Sequence, residues 1–128
     1  MDESDVVTKA SPWSVADTVT RLSAVLAARG LKLFTLIDHS AEAAAAGIEL
    51  RDTKLALFGS PEAGAVLMAS VPLIGLDLPF KMLVWDDGDG TQISYTAPAV
   101  LAKRYGLTQE LTDRLKGIEA LTDAVITM

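Results

Sequence analysis

Cysteine is absent from the 128 residues, so disulfides, thiolate nucleophiles, iron–sulfur clusters and cysteine-based zinc sites are excluded by inventory. Histidine occurs once, as His39. Positive charge is scarce: 11 Lys and Arg stand against 17 Asp and Glu, for a net charge of −6. That field repels a phosphate backbone, and no basic run offsets it, so nucleic acid is not an expected partner. Long hydrophobic runs are missing too, and nothing approaches the span of a membrane helix. The N-terminal Met1-Asp2-Glu3-Ser4-Asp5 is acidic and lacks the positive region and apolar stretch of a secretory signal. The expectation is a soluble, cytoplasmic protein without a membrane partner, although a chain free of cysteine also suits the periplasm.

What is present is a core. Half of the residues are hydrophobic and only 22% are charged, which places the chain among globular proteins. At this length one domain over residues 1–128 is expected, with residues 1–5 flexible.

The pattern alternates strands with helices. Val6–Ala10 is short and β-branched and reads as a strand. Ser14 caps a helix with Asp17 as its third residue and an apolar face of Val15, Val19, Leu22 and Leu26, stopped by Gly30. Leu31–Ile37 is apolar at nearly every position, which predicts a strand covered on both faces or one leading into a buried site. Ser40 is the expected cap of a short helix over Ala41–Ala46. Thr53–Phe58 is a strand and Pro61–Ser70 a helix, followed by an apolar loop over Val71–Pro79. Phe80–Trp85 and Thr91–Tyr95 flank Asp86-Asp87-Gly88-Asp89-Gly90, the signature of a hairpin. Pro98–Tyr105 forms a helical turn or two, and Thr108 starts a final helix with Leu111, Leu115, Ile118 and Val125 on one side. The fold class predicted is α+β, a single domain with a mixed, largely antiparallel sheet packed against helices.

Several short motifs stand in order from Asp38 to Leu107: Ile37-Asp38-His39, Leu57-Phe58-Gly59-Ser60-Pro61, Leu76-Asp77-Leu78-Pro79 with Lys81 and Trp85, and Ser94-Tyr95 before Pro98. In these the chain resembles the bacterial and archaeal family catalogued as domain of unknown function 302. The resemblance implies a compact α+β domain, often a dimer, with no settled activity. It also marks two departures, since asparagine usually stands in place of Ser60 and Asn-Asp in place of Thr96-Ala97.

Each candidate site residue has a plain structural reading beside its functional one. The Gly59-Ser60-Pro61 turn can present free N–H groups to an anion, or simply cap a helix. No nucleotide loop or nucleophile elbow is present, and no cofactor is expected. His39 suits a general base or a lone metal ligand, and equally a structural histidine at a strand end. Asp77, in apolar surroundings, is either a functional carboxylate or a tie for its own loop. Lys81 stands at even spacing from it, on the same side of an extended segment. Tyr95 has a hydroxyl able to reach a pocket, or packs against Trp85 across the hairpin.

Two functions are therefore expected as alternatives, with a third beside them. In the first, a dimeric small-molecule-binding domain uses Asp38, His39, Gly59, Ser60, Asp77, Lys81 and Tyr95. In the second, a cofactor-independent hydrolase or isomerase uses His39 as base and Asp77 as acid or orienting group. The third is a structural partner-binding module. The Asp86–Gly90 loop lacks the calcium-loop spacing, and no metal site is expected. The apolar 71–79 segment calls for cover, by the last helix or by a second subunit, hence a homodimer.

Overall fold

The computed structural model describes residues 5–127. Five strands form one sheet in the order β1-β5-β4-β3-β2, with β1 at Val6–Ser11, β2 at Lys32–Asp38, β3 at Thr53–Gly59, β4 at Phe80–Asp86 and β5 at Thr91–Thr96. Every neighbouring pair is antiparallel, so the sheet is uniform rather than mixed. The cause is topological: β1 and β2 lie on opposite edges, and the helix joining them crosses one whole face.

That helix, α1 (Val15–Ala28), is fixed at its start by Ser14, whose Oγ accepts the Asp17 amide at 3.0 Å. It is stopped by Gly30, whose φ of 68° lies in the left-handed region. Val15, Thr18, Leu22 and Leu26 recur at helical spacing and are buried against the sheet. Beside α1 lies α6 (Gly117–Ile126), which buries Ile118, Leu121, Thr122 and Val125. These side chains close over Ala56, Phe58, Met82, Val84, Ile93 and Tyr95 from the inner face of the sheet. Arg21 ties the helices, donating to the Val125 and Thr127 carbonyls at 2.8 Å and stacking on Trp13.

A second, smaller core sits at the Phe80 end of the sheet. There α3 (Pro61–Ser70), a 3-10 turn at Pro72–Leu76, α4 (Pro98–Tyr105) and α5 (Gln109–Leu115) enclose Leu67, Ile74, Leu101 and Leu115. The remaining helix, α2 (His39–Ala45), follows β2.

Four local expectations are corrected. First, β2 is an edge strand: Phe34 is 41% exposed and Leu36 and Ile37 are each 37% exposed, with a register break at Phe34. An apolar run alone does not distinguish a central strand from an edge strand whose cover lies outside the chain. Second, Asp38, not Ser40, caps α2, accepting the Ala41 amide at 2.9 Å, because the chain turns helical one residue after the strand ends. Third, the 71–79 segment is not a loop throughout; Ile74 is fully buried while Leu73 and Leu76 are 69% and 75% exposed. Fourth, the last helix is broken at Lys116, which turns α6 off α5 and onto α1.

Candidate functional site

The opening between the two cores is built around the turn that leaves β3. Phe58 is buried in the main core, Gly59 ends the strand, and Ser60 starts α3. The Ser60 side chain accepts the Ala63 amide at 3.2 Å and Pro61 occupies the first helical turn, so the capping reading holds. The same turn nonetheless walls a cavity of about 310 Å³. Phe34 from β2, Leu67 and Met68 from α3, and Leu78, Pro79 and Phe80 from the start of β4 supply its apolar sides. The rings of Phe58 and Phe80 meet at 6.0 Å and 40°. Arg114 from α5 is the one charged residue in the wall.

Gly64 adds a point of chemistry. It lies in the middle of α3, where glycine costs about 1 kcal/mol relative to alanine. Neither backbone nor packing requires it, because a Cβ there would meet only Met68 Cε at 3.8 Å and Leu78 Cδ1 at 3.9 Å. What its missing side chain provides is room in the cavity.

Asp77 and Lys81 share a separate cleft of about 220 Å³ with Thr96 and Arg104. The Asp77 carboxylate accepts the Tyr105 hydroxyl and, at 3.0 Å, Arg104 Nη1. Tyr105 holds the carboxyl below its usual range, against partial burial, with Arg104 and then Lys81 adding to the effect. A carboxylate so engaged ties the 3-10 turn to α4 and has no proton to give at neutral pH.

His39 is not part of this group. Asp38 pairs with Lys54 whereas Lys81 pairs with Leu57, which places them about 14 Å apart by strand geometry. From Lys54 to Gly59 the sheet advances about 17 Å. The expected convergence of His39, Asp77 and Lys81 is therefore corrected: a base and an acid must lie within hydrogen-bond reach of one substrate, and these do not. His39 is exposed and its side chain has no hydrogen bond among the described residues.

The Asp38 carboxylate accepts the Ser40 hydroxyl at 2.6 Å and lies 3.7 Å from Lys54, and its pKa is lowered chiefly by Ser40. Beyond it a wide groove of about 970 Å³, lined by Arg51, Thr53 and Trp85 among others, opens to solvent.

Tyr95 faces the inner core. Trp85 pairs with Gln92 and Leu83 with Ser94, so Tyr95 points away from Trp85, and the expected aromatic pair is corrected. Its hydroxyl is buried without a hydrogen bond among the described residues, and burial raises its pKa. Trp85 instead donates from Nε1 to Ser94 Oγ at 2.9 Å on the other face. In the hairpin, Asp86 accepts the Gly88 amide and Asp87 those of Asp89 and Gly90, at 2.8–2.9 Å, which is turn chemistry.

Of the predicted residues, the cavity thus contains Gly59 and Ser60. The sequence reading missed Phe34, Gly64, Leu67, Met68 and Arg114. Only the mid-helix Gly64 carried a visible signal.

Comparison with known proteins agrees with this architecture. A crystal structure of an uncharacterized conserved DUF302 protein from Bacillus stearothermophilus superposes with a TM-score of 0.82 over 95% of both chains, at 19% identity, a likeness of fold. Two curated relatives, fluoride-specific ion channel FluC 1 of Brucella suis biovar 1 (strain 1330) and FluC 2 of Brucella melitensis biotype 1, are each 43% identical over 106 residues. The match takes in 82% of this chain and spans 42% and 39% of those proteins. The model of the family described as "Domain of unknown function DUF302" matches residues 7–125, and the chain belongs to that family.

Proposed function

We propose that this chain is a small-molecule-binding module, without catalysis, whose ligand occupies the cavity between Gly59, Gly64 and Phe80. The observation that carries this reading is the cavity itself: about 310 Å³ kept open by a helical glycine that neither φ nor packing demands. Its size and its mostly apolar wall with a few polar groups have the anatomy of ligand pockets. The separation of His39 from Asp77 weighs against the enzymatic alternative.

Native mass spectrometry of protein purified without chelation tests the reading. A discrete extra mass that is lost from Gly64→Leu supports it; an unliganded mass in both, with no ligand gained from a panel of apolar metabolites, counts against it.

Two further aspects belong to the same proposal. The β2 edge leaves a row of backbone N–H and C=O groups beside exposed Leu36 and Ile37, a surface that proteins normally cover. A second copy pairing there, antiparallel, gives a homodimer with Phe34 near its seam. A monomeric mass at micromolar concentration in sedimentation would contradict it.

The relatives named as fluoride channels suggest where such a module works. No described helix is long and apolar enough to cross a membrane, and the longest, α1, is 14 residues against the ~20 needed. In those longer proteins the channel is proposed to lie in the part this chain does not match, with the matched part an accessory domain. Fluoride itself is a poor occupant for a wall of leucine, methionine and phenylalanine.

A further inference from the structure

We infer that the cavity takes a small amphipathic anion, an apolar body ending in a carboxylate, with its head at Arg114 and Ser60; this rests on the ligand-site reading above and names the ligand class. The size follows from about 310 Å³, which corresponds to roughly ten to twelve non-hydrogen atoms at about 30 Å³ per water-sized unit. The body is set by Phe34, Phe58, Leu67 and Met68, which offer no hydrogen bonds to a polar one.

The head follows from charge. Acids outnumber bases 17 to 11, and Lys9, Lys54, Arg104 and Lys116 each hold a carboxylate within 4 Å. Arg114, like Arg29 and Lys103, holds none among the described residues; what sets it apart is that it is the one charged residue in the cavity wall. Its position in the last turn of α5 suits the helix dipole, which explains a cation but not its place in this wall. A guanidinium presents paired N–H donors matched to a carboxylate. Ser60 Oγ accepts the Ala63 amide and so keeps its own hydrogen to donate. No carboxylate lines the cavity: Glu62 beside Ser60 and Glu110 beside Arg114 are exposed and outside the wall, and Asp113 is engaged by Gln109 and Lys116, so nothing in the wall favours an amine.

Isothermal titration of the full chain with octanoate, octanol and octylamine at neutral pH tests this. Octanoate is expected to bind about 3- to 10-fold more tightly than octanol, with octylamine weakest. Arg114→Gln, an exposed position, is expected to bring octanoate to within twofold of octanol measured on the same variant. Octanol binding as tightly as octanoate, or a preference that survives Arg114→Gln, overturns the anion class and leaves the ligand site standing. Failure of all three probes to bind overturns both.

Discussion

Removing one hydroxyl, in Tyr105→Phe, separates a structural Asp77 from a functional one. The Asp77 carboxylate accepts from Tyr105 and Arg104, joining the end of the 3-10 turn to α4. A well-buried hydrogen bond to a charged group contributes about 1.5–3 kcal/mol, whereas the exposed Arg104 bridge is screened by solvent and adds little. The Asp77 carboxylate is one-quarter exposed, so solvent screening brings the loss of this donor down to about 0.5–1.5 kcal/mol at pH 7. With an unfolding entropy of about 2.1 cal/mol/K per residue, a chain of this length loses about 2–6 °C in Tm. The sign of the pH dependence follows from Asp77's lowered pKa. Its contribution is fully present above the unfolded value of about 3.9 and is lost as pH falls through the folded value. Thermal denaturation followed by circular dichroism at pH 7 and pH 3 should show a smaller difference between wild type and Tyr105→Phe at pH 3 than at pH 7. A Tm change under about 2 °C at pH 7, or a difference undiminished at pH 3, would refute the reasoning.

Other consequences are as direct. Gly64→Ala should raise stability by about 0.5–1 kcal/mol in chemical denaturation, because the added Cβ meets only ordinary contacts and improves helix propensity. Leu22→Ala should cost about 2–5 kcal/mol, since Leu22 is fully buried between α1 and the sheet. His39→Ala should change unfolding free energy by less than about 0.5 kcal/mol and leave ligand binding untouched, the behaviour of an exposed residue without a partner.

Much of the fold was legible because it is written in local signals. Ser14, Gly30, Ser60 with Pro61, and the Asp-Gly hairpin each fix an element end through capping or turn chemistry within a few residues. The strand order was not legible, because it depends on α1 carrying the chain across the sheet to the far edge. The exposure of β2 was hidden for a related reason: its apolar composition is that of a buried strand, and only the topology places it at an edge.

The site was legible in part. Gly59 and Ser60 were found as a turn, yet their partners Phe34, Phe80 and Arg114 come from three other elements with no sequence spacing to link them. His39, Asp77 and Tyr95 drew attention by residue type. The register then puts them at a strand end, in a helix tie and in the core. Residue chemistry alone carries no information on direction, and in a sheet one position decides the face.

The most direct test of the central claim is a two-dimensional amide NMR titration with octanoate. The account predicts saturable shifts concentrated at Gly59, Ser60, Ala63, Gly64 and Leu67, abolished in Gly64→Leu. Shifts centred instead on Thr53, Trp85 and Asp87 at the opposite groove, or none at saturating octanoate, would contradict it.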